Sequence, residues 1–222
     1  MTLRIAITGG SGAGKSLLAG WLREAGHEVL DADREGHAVL RSHPELRRAL
    51  AEAFGADLLD EAGGLRRGEL GRRAFADSAS LLKLNALVFP YLGRRLREAL
   101  ERVRGPVVFL DAALVFEWEA QSWFDEVWVI TAPEELRRKR SQGRLGLAEA
   151  EAGAIQARQL PQEEKARRAT RVLENVGPPA LLWEQADLEL RRLGLAGLPD
   201  DTRPAGDLGE GEDPACPPSA AR

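Results

Sequence analysis

Eight residues near the start of the chain, Gly9-Gly10-Ser11-Gly12-Ala13-Gly14-Lys15-Ser16, fit the spacing G-x-x-x-x-G-K-[ST]. Each residue type in that pattern has a physical task. Glycines let successive main-chain N–H groups converge on phosphate oxygens without interference from side chains. A helix starting near Lys15 adds the positive end of its dipole. The Lys15 ammonium can reach the β- and γ-phosphates of a triphosphate, the Ser16 hydroxyl suits Mg²⁺, and Leu17 would lend only its backbone N–H. An apolar strand precedes the loop and an amphipathic helix follows it, which is the context the pattern requires. The expected chemistry is binding of a nucleoside triphosphate. The alternative is a glycine-rich turn that merely joins strand to helix.

Three further groups could act on that triphosphate. Asp31-Ala32-Asp33 closes a second apolar run, at the carboxyl end of a strand, where ligands gather in open α/β sheets. A carboxylate there could orient an attacking hydroxyl or accept its proton, or one of the pair could simply cap the next helix. Asp111 follows Val107-Val108-Phe109-Leu110, a hydrophobic-then-Asp arrangement able to hold a Mg²⁺-bound water, with capping again the alternative. Arg137, Arg138, Lys139, Arg140 and Arg144 form a basic stretch in which Arg140 and Arg144 share a helical face. Such a stretch is a charged solvated surface or a lid that neutralises a transferring phosphate.

The elements that must position these groups alternate. Strands are expected at Arg4–Thr8, His27–Asp31, Pro106–Leu110, Glu126–Ile130 and Arg171–Glu174. Helices are expected at Ser16–Ala25, through Arg34–Arg104 with breaks at Pro44, Gly63-Gly64 and Pro90, between the third and fourth strands, from Pro133 through Glu149 to Leu160, and from Pro179 to Leu193. Strands joined by helical crossovers make a parallel sheet with right-handed connections.

Composition narrows the classes. The chain has 222 residues, 44% hydrophobic and 30% charged, values that allow a substantial core. Its net charge of −4 is confined to Pro199–Arg222, where six acids face two arginines, so the body is balanced and carries no cationic surplus of the kind nucleic-acid binders need. The single cysteine, Cys216, excludes a disulfide scaffold and fits a reducing, cytoplasmic setting. No apolar run approaches the ~20 residues of a membrane span. His27, His37 and His43 have no cysteine at metal-ligand spacing and are assigned to packing or surface. The five tryptophans are assigned to core and contact positions. Neither asparagine, Asn85 or Asn175, sits in an N-K-x-D segment, and no LSGGQ-like segment occurs, which disfavours GTPases and ABC ATPases and leaves a small-molecule kinase.

Together these residues resemble the dephospho-coenzyme A kinase family. The resemblance rests on the phosphate loop, Val29-Leu30-Asp31-Ala32-Asp33, Phe54-Gly55, Gly64-Leu65-Arg66 with Leu70 and Phe75, and Leu84-Asn85-Ala86-Leu87. It continues through Ala113-Leu114-Val115-Phe116-Glu117, the Arg140/Arg144 pair, Gln159 with Pro161, Lys165, and Val172-Leu173-Glu174-Asn175 with Gly177, covering about residues 3 to 195. Four positions depart from it: Phe89 stands for a usual His, Ala113 for Pro, Thr170 for a frequent Asp and Leu17 for a frequent Thr.

The resemblance implies an adenylate-kinase-like P-loop α/β fold of three layers, a five-stranded parallel sheet with helical substrate-binding and lid insertions. It implies one kinase domain over 1–198, with core segments 1–33, 105–136 and 166–198, a coenzyme-binding region 34–104 and a lid 137–165; the acidic tail 199–222, rich in Pro, Gly and Asp with almost no large apolar residues, is expected from its composition to be disordered. It also implies transfer of the γ-phosphoryl of ATP to the ribose 3′-hydroxyl of dephospho-coenzyme A, in the cytoplasm, without nucleic acid, membrane or obligate protein partner. Asp33 would be the base or hydroxyl-orienting residue. Lys15 and Arg140 would stabilise transition-state charge with Arg144 in support, Asn175 and Gly177 would lie near the adenine, and Ser16 and, through water, Asp111 would serve Mg²⁺. A kinase of another small hydroxyl compound and a non-catalytic nucleotide-binding regulator are the alternatives.

Overall fold

The computed structural model describes residues 2–145 and 159–204, with side chains left out at 141–145. Five strands, β1 (Leu3–Gly9), β2 (Glu28–Asp31), β3 (Val107–Asp111), β4 (Glu126–Thr131) and β5 (Arg171–Glu174), form one all-parallel sheet in the order β2-β3-β1-β4-β5. β1 is central because its residues are apolar on both faces, as a strand covered by helices on each side requires. Ile5 and Ile7 face a core built with Val107, Phe109, Trp128 and Ile130. That core is covered by helices α1 (Lys15–Glu24) and α8 (Pro179–Arg192). Ala6 faces the opposite core, with Leu110, Val127 and Val129, under Leu92 and Leu96 of helix α5 (Ser78–Arg102).

Between β2 and β3 the chain makes helices α2 (Ala32–Ser42), α3 (Pro44–Phe54), α4 (Arg67–Ala74) and α5, which enclose a third core of Val39, Leu46, Leu50, Leu58 and Leu70. Pro44 begins α3 at its first position, where the missing N–H costs nothing. The Gly63-Gly64 break is a turn in which Asp60 Oδ1 accepts from the N–H groups of Ala62 and Gly64. Helices α6 (Glu134–Leu145) and α7 (Gln162–Arg168) then flank the segment 146–158, so that part of the helix expected from Pro133 to Leu160 lies outside the described residues.

Two expectations fail. Pro90 does not break its helix: α5 runs through it for 25 residues. Proline forfeits one hydrogen bond and strains the preceding turn, but Leu81, Leu92, Leu96 and Leu100 are buried along the same helix and hold it together. Nor is there an α-helix between β3 and β4. The apolar residues there do have helical spacing, but the connection instead buries Val115, Phe116 and Ala120 in turns while Trp118 and Trp123 stack on Phe89 of α5 at 5.3 and 6.1 Å between ring centroids.

The boundary drawn after residue 198 also shifts. Asp200–Thr202 is a 3₁₀ turn docked on α8, where the indole N–H of Trp183 donates to Thr202 Oγ1 at 3.1 Å and Arg203 pairs with Glu184. Residues 205–222, Cys216 among them, lie outside the described residues. Ending the chain at Leu198 removes this hydrogen bond and the Arg203 guanidinium that covers the Trp183 ring. A chain ending at Pro204 is expected to melt about 2–4 °C above one ending at Leu198, the shift that ~1 kcal/mol produces in a domain of this size. Identical melting curves for the two would refute the docking.

Candidate active site around the phosphate loop

The loop joins β1 to α1 at the carboxyl end of the sheet, and its backbone shape is imposed by close neighbours. Gly14, the N-cap of α1, has φ +112, and a Cβ there would fall 2.4 Å from Asn175 Nδ2. Both facts demand glycine. Asn175, buried just beyond β5, donates from Nδ2 to Ala13 O at 2.9 Å, while its backbone N–H donates to Thr131 O at 2.7 Å. No side chain caps α1 at Gly14, so the dipole end faces the loop, the arrangement that binds anions. Lys15 curls over the loop and donates from Nζ to Gly9 O at 3.0 Å and Gly10 O at 3.1 Å.

Strand register places the acids on one flank. Asp31 and Asp111 are direct neighbours on β2 and β3, and Asp111 is also level with Ile7 of β1. Asp31 is the N-cap of α2, its Oδ1 accepting from Arg34 N at 3.0 Å, so the capping task falls to it. That leaves Asp33 exposed in the first turn of the helix. Burial pushes the Asp111 carboxyl up to about 6; the Lys15 ammonium opposes this, and the charges of Asp31 and Asp33 add to it. Lys15, Asp31, Asp33 and Asp111 therefore share one electrostatic neighbourhood.

Cations line the other flank. Arg140 of α6 donates from Nη1 to Asn175 O at 3.4 Å. Arg144 lies on the next turn of α6, its side chain outside the described atoms. Arg137, which the sequence showed only as one of a basic run, packs against Gly10: a Cβ there would lie 2.4 Å from Arg137 Nη1. Gly177 precedes α8 and abuts Leu181, where a Cβ would sit 3.0 Å from Cδ1.

A buried ion pair underlies this flank. Lys165 is fully buried, donating from Nζ to Ala113 O at 2.7 Å and pairing with Glu117 Oε1 at 2.9 Å. The same Glu117 oxygen accepts from Leu160 N at 2.9 Å, and Thr8 Oγ1 donates to Ala113 O at 3.2 Å. The segment returning from 146–158 is thereby tied to the floor of the phosphate loop. Desolvation lowers the Lys165 pKa, and the Glu117 carboxylate works against that. The sequence offered Glu117 and Lys165 only as points of resemblance; their pairing is a contact across 48 positions that no local pattern displays.

The chain matches the dephospho-CoA kinase family over residues 3–179. It is 43% identical over 195 residues to the dephospho-CoA kinase of Deinococcus radiodurans, covering 86% of this chain and 93% of that protein. The chain belongs to the dephospho-CoA kinase family. The enzyme of that name from Anaeromyxobacter dehalogenans is 39% identical over 186 residues, 82% of this chain and 88% of its own. A crystal structure from Thermus thermophilus superposes with a TM-score of 0.75 at 36% identity, covering 88% of this chain and 99% of that one. Dephospho-CoA kinase from Campylobacter jejuni has the same fold, with a TM-score of 0.66 at 22% identity over 87% and 98% of the two chains.

Three departures from the family pattern have packing explanations. Phe89 is sandwiched with Trp118 and Trp123. Thr170 Oγ1 accepts from Val127 N at 2.8 Å and donates to Val127 O at 3.0 Å, extending the β4–β5 ladder. Ala113 still offers the carbonyl on which Thr8 and Lys165 converge.

The residues present fit Mg²⁺. Among the described residues no three His, Cys, Asp or Glu side chains cluster to hold a metal alone, so the ion would take most of its ligands from phosphate and water. Ser16 and Asp111 supply oxygen donors of the hard kind it prefers, and the poorly compensated charge of Asp111 is one a cation would offset.

That raised pKa has a stability consequence of definite sign. A carboxyl whose folded pKa lies above its ordinary value of 3.8 supports the fold fully below pH ~4 and loses that support as pH rises through about 6. Asp111→Asn is therefore expected to be more stable than the parent at pH 8 by about 1–3 kcal/mol, with the gap closing below pH ~4.5. Melting temperatures at the two pH values measure it, and a variant less stable than the parent at pH 8 contradicts the assignment.

Proposed function

We propose that this chain is an ATP-dependent kinase that phosphorylates the ribose 3′-hydroxyl of dephospho-coenzyme A to give coenzyme A. The observation that carries the reading is the division of charge about the phosphate loop: carboxylates on the β2–β3 side, cations and Asn175 on the β4–β5 side. A kinase needs this polarity, because the acceptor hydroxyl must lose a proton on one side while negative charge develops on the other.

In this reading the loop's main-chain amides and the α1 dipole hold the outer phosphates, and Lys15 leaves the carbonyls of Gly9 and Gly10 to meet them. Asp33, relieved of capping by Asp31, accepts a hydrogen bond from the acceptor hydroxyl and takes its proton as the phosphoryl group departs. Arg140, with Arg144 in support, neutralises charge on the transferring group when α6 and the segment beyond it close over the nucleotide. The adenine lies toward Asn175 and Gly177, with the Asn175 amide fixing the loop through Ala13. Mg²⁺ held by Ser16 and a water on Asp111 supplies charge neutralisation of the phosphates. The helical region 34–104 receives the coenzyme portion, and closure of 137–165 excludes water that would otherwise hydrolyse ATP. The enzyme works in the cytoplasm, without an obligate protein partner.

A coupled assay of ADP release, with dephospho-coenzyme A present or withheld, tests the reading. Release is expected only with the acceptor, and turnover of a different hydroxyl compound in preference to it would overturn the substrate. Asp33→Asn is expected to lower kcat by about 10²- to 10⁴-fold with ATP affinity nearly unchanged. Full turnover in that variant removes Asp33 from the proton transfer.

A further inference from the structure

Arg137 has no task in the loop motif or in the resemblance, yet the structure sets it on the loop. It stands in the first turns of α6, where its backbone N–H donates to Pro133 O at 3.0 Å. Its side chain turns back to the sheet, Nε donating to the carbonyl of Ala132, just beyond β4, at 3.2 Å. From that anchor the guanidinium reaches Gly10 so closely that a Cβ there would lie 2.4 Å from Nη1 and 3.4 Å from Cζ. Any other residue at position 10 would displace it. Lys15 Nζ, which serves the outer phosphates in loops of this type, donates to the carbonyl of the same Gly10. Two cations thus meet at one loop residue, whereas Lys165, the other cation near Arg137, is buried and paired with Glu117.

We propose that Arg137 is a nucleotide-binding residue of this chain, a second cation that holds the outer phosphates of ATP beside Lys15. The inference rests on the kinase reading above and deepens it on the nucleotide side. The anchor of Arg137 is the carbonyl of Ala132 at the end of β4, whereas Arg140 is held at the end of β5 by the carbonyl of Asn175. Held by the end of β4, Arg137 is in place before any closure, so it contributes equally to bound ATP and to the transition state. An interaction of that kind changes KM and leaves kcat alone.

The test is calorimetric titration of ATP into the parent, Arg137→Gln and Arg137→Lys without acceptor, together with steady-state kinetics and melting curves. Arg137→Gln keeps a donor and much of the volume but removes the charge. It is expected to weaken ATP binding about 10- to 100-fold, the span of one hydrogen bond to a charged group, with kcat at saturating ATP within about threefold of the parent. Its melting temperature is expected within about 2–3 °C of the parent. Arg137→Lys keeps the charge without the planar fork and is expected to lose about 3- to 10-fold. Parent-like affinity in Arg137→Gln overturns the inference, as does an affinity loss that merely follows a large fall in melting temperature. Should Arg137→Gln not fold, parent-like affinity in Arg137→Lys overturns it instead. Failure of the parent itself to bind ATP would strike the kinase reading.

Discussion

A phosphate cradle made of main-chain amides has almost no side chains with which to hold its own shape, so its shape must be imposed from outside. Here the imposition comes from three directions. Asn175 reaches from the end of β5 to bond the carbonyl of Ala13 and occupies the space above Gly14. Lys15 spans back to the carbonyls of Gly9 and Gly10. Arg137 lies on Gly10 from the β4 side. The glycines are thus as much a consequence of what presses on the loop as of the phosphate it receives. Unstrained backbone N–H groups aimed at one point are useful only when they do not have to reorganise on binding, and these contacts supply that preorganisation.

The same contacts explain why the order of strands matters chemically. With β1 in the middle, the loop opens between β3 and β4, and each neighbour contributes its own chemistry to one flank. In-register pairing sets Asp111 beside Asp31, and burial then makes the charge of Asp111 costly. On the far flank β4 and β5 end in residues that hold cations and an amide against the loop. The gradient of charge is a property of sheet topology rather than of any one motif.

That gradient was only partly legible in the sequence. The loop, the five strands and the Asp31–Asp33 segment could be read because local residue identity determines them: glycine at fixed intervals, apolar runs of strand length, acids at strand ends. The capping choice between Asp31 and Asp33 could not, because both fit a cap and only the backbone shows which one accepts from Arg34. Pro90 was misleading for a physical reason: its local cost is outweighed by the burial of Leu81, Leu92, Leu96 and Leu100 along the same helix against distant parts of the chain. The absent helix between β3 and β4 fails similarly, since Trp118 and Trp123 find their partner in Phe89, some thirty positions away. Arg137 was hidden within a run of like residues whose individual directions only the fold assigns.

The Lys165–Glu117 pair shows how such long-range placement supports the phosphate loop from beneath. Burying a lysine completely is unfavourable unless its charge and protons are answered, and removing one member of a buried pair leaves the other uncompensated at a cost of about 3–5 kcal/mol. Lys165 is answered by Glu117 and by the carbonyl of Ala113, and Glu117 in turn fixes the backbone of Leu160. Ala113 also accepts from Thr8, the residue before the first loop glycine. The chain from Leu160 through Glu117, Lys165 and Ala113 to Thr8 is therefore a continuous polar connection between the returning end of the 137–165 segment and the root of the phosphate loop. This buried network is too costly to break and ties the backbone at Leu160 to the root of the phosphate loop.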